Sequence, residues 1–273
     1  MPDFTQRAPD DLGAGHLIGR KQPPVGWIAI NNPLRRNAIT LDMWASIVEV
    51  VAAFESAPDI RVIVVTGSGR HSFASGADIS EFEGQRADPE AESRYSQATG
   101  LGHAALANCS KPTIAMIRGS CVGGGLALAL DCDLRIASSL SRYGIPAAQL
   151  GLGYGFPGLA ALTALVGPAC AKELMFTAHR FEADEALRMG LLNRVVPDGE
   201  LEVVTADYVR MIAANAPMTL KAAKIGIAAA LKDESERDMA AVEQAISACF
   251  ASEDYKEGRN AFLEKRKPAF KGR

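Results

Sequence analysis

Two kinds of hydrophobic pattern divide the chain. Continuous apolar runs, typical of buried strands, occupy 25–31, 61–66 and 113–118, and shorter runs occupy 134–137 and 143–145. Apolar residues at helical spacing follow the first run at 41–54, and 92–108 can form another helix. From residue 159 onward the pattern is mostly helical, over 159–166, 168–176, 182–189, 198–214, 217–232, 236–250 and 254–265. The order predicts an α/β core followed by a helical region.

The change of pattern near residue 200 suggests the domain organisation. Residues 1–24 are polar and without periodicity, which favours a loose N-terminal arm. Residues 25–200 then form the α/β core and residues 201–273 a C-terminal helical region. A chain of 273 residues with 48% apolar and 22% charged residues can bury a core of this size.

Composition excludes several classes of function. A net charge of −3 gives no basic field for nucleic acid. No apolar run approaches the roughly 18 residues of a membrane span, and the first twenty residues do not resemble a signal peptide. The five cysteines contain no CxxC pair and indicate reduced thiols in a cytoplasmic protein. The four histidines are scattered, so no metal site is expected.

Glycine-rich turns supply the candidate chemistry. In Gly119–Asp133 (GSCVGGGLALALDCD), three consecutive glycines follow a strand and run into a small apolar helix. The N-terminus of such a helix presents free backbone N–H groups, which bind an anion or an oxygen that becomes one during reaction. A second turn, Phe73–Asp78 (FASGAD), offers the same kind of group. We hypothesise that the two turns converge on one carbonyl oxygen.

An ordered set of segments resembles the crotonase family, also called the enoyl-CoA hydratase/isomerase family. The set comprises Asn32-Pro33 with Asn37-Ala38, Ser75-Gly76-Ala77-Asp78-Ile79, Gly119 to Gly125 with Asp131-Cys132-Asp133, Ala171-Lys172-Glu173-Leu174 with Phe176-Thr177, 183–196 and 257–271. The resemblance implies a spiral of ββα units with a C-terminal helical region that packs between subunits, as a homotrimer or a hexamer. It also implies an acyl-CoA thioester of fatty acid metabolism as ligand, with coenzyme A as part of the substrate and no separate cofactor.

The resemblance also assigns residues. It places the two N–H groups of a thioester oxyanion hole on Ala77 and Gly124, where one positioned donor is worth about 3–4 kcal/mol. Further substrate or CoA contacts are expected from Ala38, Ser75, Asp78, Ile79, Arg36, Phe262 and Lys265. Arg36 and its neighbour Arg35 fit CoA phosphates and a solvated surface pair about equally well. The family places the phenylalanine and lysine of the last helix against a neighbouring subunit's CoA, although a basic last turn also complements a helix dipole.

One departure from the family bears on the reaction. Its hydratases carry two glutamates, at positions occupied here by Ala127 and Ala147. Alanine can neither activate water nor deliver a proton, so standard two-glutamate hydration is not expected. Tyr154 lies where the decarboxylase branch of the family has a tyrosine, and decarboxylation needs no carboxylate base. That branch, however, also has a histidine at the position of Ala77, and Tyr154 equally fits a packing role.

Three functions therefore remain open. They are an enoyl-CoA hydratase/isomerase-like lyase or isomerase with non-standard acid–base groups, a decarboxylase of a malonyl-type acyl-CoA, and a non-catalytic acyl-CoA-binding protein. The other polar residues near these motifs are interpreted as structural. Asp78 is expected to cap a short helix in a capping box with Glu81. Structural roles are also expected for Glu83, His103, Asp131, Asp133, Tyr143 and Gln149.

Overall fold

A computed structural model describes residues 2–81 and 88–273 of the chain. In that part, strands form a larger sheet in the order β1-β2-β3-β5-β7-β10 and a smaller sheet in the order β4-β6-β8-β9. Pairing is parallel except for β1 with β2 and β8 with β9. The strands are β1 Leu17–Gln22, β2 Val25–Ile30, β3 Val62–Gly67, β4 Ser72–Ala74, β5 Thr113–Ile117, β6 Ser120–Val122, β7 Leu134–Ser138, β8 Arg142–Gly144, β9 Phe181–Glu182 and β10 Arg194–Val196.

The helices follow the strands in a repeated order. After β3, β5 and β7 the chain enters the smaller sheet through β4, β6 and β8, and then forms a helix, which gives a spiral of ββα units. The helices are α1 Leu41–Glu55, α2 Pro89–Ala107, α3 Gly124–Leu130, α4 Phe156–Thr177, α5 Ala183–Arg188, α6 Leu201–Ala213, α7 Pro217–Ala230, α8 Met239–Ala251 and α9 Glu253–Leu263. The mixed α/β fold predicted from the sequence is confirmed.

The core lies on both faces of the larger sheet. One cluster packs α1, α3 and the smaller sheet against it, with Phe54, Phe73 and Tyr143 among its fully buried side chains. The other cluster packs α6, through Leu201 and Val209, against the opposite face. Strands β2, β3 and β5 are buried along their whole length, because residues of parallel strands between two layers face apolar neighbours on both sides.

The N-terminal segment differs from its prediction. Within residues 1–24, β1 pairs with β2 along its whole length, and Phe4 is buried with its ring 5.9 Å from that of Trp27. The ion pair of Arg20 with Asp11, at 2.7 Å, fixes the segment further. The prediction of a loose arm is therefore wrong for these residues. It failed because β1 contains polar residues and lies at an edge of the sheet.

One helix of the described residues, α4, is long and apolar enough by length and composition to cross a membrane. Its backbone is not helical at Gly167, where φ is 75° and ψ is 165°, just before Pro168. The two segments on either side match the predicted helices 159–166 and 168–176. Each is about half of the roughly 20 residues that a spanning helix needs.

Candidate active site

The first glycine turn is held by a backbone bridge to the segment before α1. Ile39 N–H donates to Gly76 O at 2.8 Å, and Asp78 N–H donates to Ile39 O at 2.9 Å. Ala77 lies between these two bonds, and among the described residues its own N–H has no acceptor. Gly76 has a φ of +107°, which side chains rarely adopt. The turn therefore presents the Ala77 N–H outward.

The second glycine turn starts α3. Gly123, with a φ of +55°, donates its N–H to Gly144 O at 2.9 Å. Gly124 is the first residue of the helix, where the N–H has no partner within the helix. A Cβ on Gly125 would lie 2.3 Å from Ala74 O. Only glycine at this position lets α3 pack directly on β4 and bring the two turns together.

The structure places the two predicted donors side by side. A Cβ built on Gly124 would lie 3.4 Å from Ala77 N, and one built on Gly76 would lie 3.6 Å from Gly124 N. Ala77 and Gly124 are both half-buried, so neither turn is sealed inside the core. This arrangement suits one oxygen atom that accepts both hydrogen bonds.

A network of buried polar groups fixes the segment behind the first turn. Asn37 has a φ of 57° and donates to Ser68 O at 3.0 Å and to Ser72 O at 2.7 Å. Its Oδ1 accepts the Asn32 N–H at 3.0 Å, and the Asn32 side chain donates to Ala38 O at 3.2 Å. Ala38 is thereby held, 7% exposed, directly before the bridge residue of the first turn.

The side chains of Ser75 and Asp78 form hydrogen bonds within the protein, to residues of the two adjoining turns. The Ser75 hydroxyl donates to Arg35 O at 3.2 Å. The Asp78 carboxylate accepts from Arg35 Nη1 at 2.9 Å and from Ser80 Oγ at 2.7 Å. Burial alone would raise the pKa of Asp78, but the bonds from Ser80 and the charge of Arg35 together lower it.

The two arginines of this turn have different surroundings. The guanidinium of Arg35 is engaged by Asp78, whereas Arg36 is exposed and in the left-handed conformation, with a φ of 53°. Ile79 is 61% exposed at the mouth of the turn. Of the pair considered from the sequence, Arg36 is therefore the one whose side chain is available to a ligand.

The predicted capping box between Asp78 and Glu81 is wrong for Glu81. Ile79–Glu81 forms a 3-10 turn instead of an α-helix. The Glu81 carboxylate accepts the Leu41 N–H at 3.0 Å, so it satisfies the N-terminus of α1 and not its own turn. Glu83 lies outside the described residues.

Alanines occupy the positions where the family resemblance implies carboxylates. Ala127 lies one helical turn after Gly124 and is half-buried. Ala147 is 7% exposed in a 3-10 turn, Pro146–Leu150, whose first residue lies 3.9 Å from a Cβ built on Gly123. Both alanines thus lie in segments next to the glycine turns, and neither side chain can donate or accept a proton.

Tyr154 is half-buried beside this region. A Cβ on Gly158 would lie 2.7 Å from Tyr154 Cε1, so the ring packs on the first turn of α4. Burial, followed by the charge of Asp131, raises the pKa of the Tyr154 phenol to about 12. The phenol is therefore neutral at physiological pH and can donate a hydrogen bond.

Three further residues make contacts of the structural kind expected from the sequence. Tyr143 is fully buried, and its hydroxyl lies 2.8 Å from Ser141 Oγ. The Gln149 amide donates to Ala178 O at 3.5 Å. Asp133 accepts the Thr113 N–H and the Lys224 ammonium, both at 2.8 Å, and joins the start of β5 to α7.

His103 and Asp131, both interpreted from the sequence as structural, form a pair with each other. His103 Nδ1 lies 2.5 Å from Asp131 Oδ2, and the imidazole packs on Trp44, with ring centroids 4.3 Å apart. His103 lies within α2, and Asp131, 28 positions later in the sequence, directly follows α3. No local pattern could have paired them. The only sequence signal for this pair is that each residue lies in a segment expected near the glycine turns.

The C-terminal candidates, Phe262 and Lys265, lie at the exposed end of α9. Phe262 is 83% exposed near the end of α9, and Lys265 follows the helix in the left-handed conformation, with a φ of 55°. The segment after them is held to its own chain, because Asp254 accepts the Lys271 and Gly272 N–H groups at 2.6 and 2.7 Å. Among residues 2–81 and 88–273, no group of three metal-ligating side chains is present.

Comparison with known proteins identifies the class. A family model described as enoyl-CoA hydratase/isomerase matches residues 20–273. The short-chain-enoyl-CoA hydratase of Clostridium acetobutylicum is 37% identical over 94% of this chain and 98% of its own length. The crotonyl-CoA hydratase of Syntrophomonas wolfei is 36% identical over 93% of this chain and 97% of its own.

A solved structure shows the same fold. The enoyl-CoA hydratase/carnithine racemase of Magnetospirillum magneticum aligns with a TM-score of 0.89 and 32% identity, covering 96% of this chain and 97% of that one. This chain therefore belongs to the enoyl-CoA hydratase/isomerase family, whose members have the crotonase fold, and it is an enzyme of acyl-CoA chemistry.

Proposed function

We propose that this enzyme binds an acyl-CoA thioester with its carbonyl oxygen between the N–H groups of Ala77 and Gly124, and stabilises the enolate that forms there. The observation that carries the proposal is the adjacency of these two donors. A Cβ built on Gly124 would lie 3.4 Å from Ala77 N. Negative charge on the oxygen strengthens both bonds, so the site favours the enolate over the neutral thioester.

Hydration of an enoyl-CoA is the reaction supported best. Relatives at 37% and 36% identity carry the names of hydratases. In this chain the proton transfers cannot use carboxylates at Ala127 and Ala147, so the acid–base groups are non-standard. Hydration makes the enzyme a lyase.

The test is turnover of crotonyl-CoA, followed by the loss of its enoyl thioester absorbance. Gly124→Pro removes one donor at the first position of a helix, a place that tolerates proline. Loss of one such donor costs about 10²–10³ in kcat, while the melting temperature and far-ultraviolet circular dichroism stay close to those of the wild type. Full activity in Gly124→Pro would overturn the assignment of the oxygen site.

Decarboxylation of a malonyl-type acyl-CoA is the second candidate, and Tyr154 favours it. Its neutral phenol interacts with Asp131, at the end of the helix that begins at Gly124, and neither Ala127 nor Ala147 sets a carboxylate against that of such a substrate. Release of carbon dioxide from methylmalonyl-CoA, lost in Tyr154→Phe, would replace hydration as the assignment. Binding of several acyl-CoAs without turnover of any would indicate an acyl-CoA-binding protein.

Several further features belong to the same proposal. Arg36 would meet the CoA phosphates, and Phe262 with Lys265 would contact the CoA held by a neighbouring subunit in a homotrimer or hexamer. Coenzyme A enters only as part of the substrate. All five cysteines carry free thiols, which suits a cytoplasmic enzyme of fatty acid metabolism.

A further inference from the structure

One face of α3 leads from the two backbone donors of the proposed oxygen site to Asp131. Gly124, Ala127 and Leu130 along the helix, and Asp131 at its end, are half-buried. The residues between them, Gly125, Leu126, Leu128 and Ala129, are buried. Spacings of three and four residues define a single helix face. The accessible face that begins at Gly124 therefore ends at Asp131.

The carboxylate of Asp131 lies close to the position of the absent glutamate. Asp131 follows Ala127 by four residues, which places them one above the other on the helix. Helical side chains lean toward the preceding turn, so the Asp131 side chain extends over the turn that contains Ala127. The methyl group of Ala127 leaves that space open.

His103, on α2, contacts the same end of α3. Its Nδ1 lies 2.5 Å from Asp131 Oδ2, and its side chain is 31% exposed against 14% for Asp131. Nε2 has no partner among the described residues. The ring packs on Trp44, and a Cβ on Gly102 would lie 2.7 Å from Trp44 Cε3, so glycine allows α1 and α2 the close approach that orients the imidazole.

The chemistry of the pair is that of an oriented base. When Asp131 is ionised, its oxygens only accept hydrogen bonds, so Nδ1 then carries the proton and Nε2 of the neutral ring has a free lone pair. Burial raises the pKa of Asp131, and the bond and charge of His103 oppose that rise. The carboxylate also stabilises the imidazolium that forms when Nε2 accepts a proton.

We propose that His103 is the catalytic acid–base group of this pocket and that Asp131 is its positioning residue, together replacing the two carboxylates of the family hydratases. The inference rests on the proposed binding of an acyl-CoA between Ala77 and Gly124. It adds the group that moves the proton, which the oxygen site alone does not supply.

In hydration, one histidine suffices for a balanced step. Nε2 takes a proton from water while the water oxygen bonds to Cβ of the enoyl group. The electron pair of the Cα=Cβ bond shifts toward the carbonyl carbon, and the carbonyl pair moves onto the oxygen held by the two N–H groups. When the enolate collapses, the imidazolium returns the proton to Cα. The net change is the addition of one water molecule.

The experiment uses His103→Gln and Asp131→Asn in the full chain, with His71→Gln as a control at an exposed histidine outside the pocket. Binding of butyryl-CoA is measured by calorimetry. Proton transfer is measured twice, as crotonyl-CoA hydration and as exchange of the butyryl-CoA α-protons in D₂O by NMR. The exchange needs only an enolate and a base, so it does not depend on the choice of enoyl substrate.

His103→Gln should lower kcat and the exchange rate about 100-fold or more, with the Kd for butyryl-CoA and KM within about threefold. Asp131→Asn should lower kcat at least about tenfold, because it removes the group that fixes the imidazole, with KM unchanged. In His103→Ala, added imidazole should restore part of the turnover. A purely structural histidine would not allow that rescue, and melting temperatures identify any variant that fails to fold.

The outcomes separate the two proposals. If the wild type does not bind butyryl-CoA, the proposed function fails. If it binds but moves no proton, or if His103→Gln moves protons as fast as the wild type and the His71→Gln control, the acid–base assignment fails and the binding site stands.

Discussion

Single glycines set the geometry of the oxygen site, and Gly125 does so most directly. Its backbone approaches Ala74 so closely that a Cβ would lie 2.3 Å from the Ala74 carbonyl oxygen. The atom in the way belongs to the backbone of β4, which cannot rotate aside as a side chain can. Any larger residue must push α3 away from β4 and separate Gly124 from Ala77.

Gly125→Ala should therefore lower both stability and activity. The overpacking is expected to cost about 1–3 kcal/mol of the free energy of unfolding, measured by urea denaturation, and to reduce crotonyl-CoA turnover. Gly226→Ala is the matched control, because a Cβ there meets nothing within 4 Å and the residue lies inside α7. That variant should gain about 0.5–1 kcal/mol. Equal effects of the two changes would contradict this account of the glycine turn.

The residue scale also sets the limit of sequence reasoning about the site. The adjacency of Ala77 and Gly124 could be predicted because backbone donors depend on local glycine turns and on an ordered family pattern. The pair of His103 and Asp131 could not, since it forms only when α2 and α3 come together in the folded chain. For the same reason Glu81 was assigned to its own turn, whereas it caps α1 forty residues earlier in the sequence.

Between elements, an ion cluster around the buried Arg118 joins the end of β5 to the start of α6. Arg118, 8% exposed, donates to Asp198 Oδ1 at 2.9 Å and to Glu202 Oε1 at 2.7 Å. Asp198 also accepts from Ser138 Oγ at 2.7 Å and from Arg70 at 2.6 Å. The Ser138 hydroxyl first, and then Arg118, lower the pKa of Asp198 to about 2.

This cluster predicts a dependence of stability on pH. The pKa of Asp198 is lower in the folded chain than the ordinary value of 3.8, so its contribution is complete above about pH 4 and is lost as the pH falls through 2. A shift of this size corresponds to about 2 kcal/mol. Asp198→Asn should be less stable than the wild type by that amount in urea denaturation at pH 7, and by less at pH 3.

The control for the cluster is an exposed carboxylate in α6, the helix that follows Asp198. Asp207 pairs with Arg210 within α6, where both side chains are solvated. Asp207→Asn should change the unfolding free energy by less than about 0.5 kcal/mol at either pH. A pH-independent difference between Asp198→Asn and the wild type would show that the carboxylate charge is not what stabilises this junction.

The elements themselves could be predicted to different degrees. Strands β2, β3, β5 and β7 were found within about one residue, because strands buried on both faces are continuous apolar runs. Short or polar strands such as β1, β4 and β10 have no such signal and are defined by their pairing alone. The break of α4 at Gly167 was visible because glycine followed by proline interrupts helical spacing.

On the scale of the whole molecule, the C-terminal helices α7, α8 and α9 leave large apolar side chains uncovered. Ile227, Leu231, Phe250 and Phe262 are exposed by 66%, 71%, 63% and 83%. Exposed apolar patches of this kind mark interaction surfaces in soluble proteins. A single sequence cannot show which surface of a second copy covers them, because that fit depends on the shape of the folded chain.

The surface of the last helix leads to a prediction about assembly. We expect a homotrimer or a dimer of trimers in solution by light scattering coupled to size exclusion, in which Phe262 and Lys265 complete the CoA site of a neighbouring subunit.

A double variant, Phe262→Asp with Lys265→Glu, should then lose affinity for butyryl-CoA. A second variant, Gly124→Val, should lose it for a different reason, because the methyl groups beyond its Cβ, which itself would lie 3.4 Å from Ala77 N, would occupy the space of the bound oxygen. When the two are mixed and reassembled, some sites combine an intact oxygen site with an intact last helix, and butyryl-CoA binding should return to part of them. If the mixture binds no more than the separate variants, although mixed oligomers have formed, each chain completes its own site and the last helix has no role in a neighbour's CoA binding.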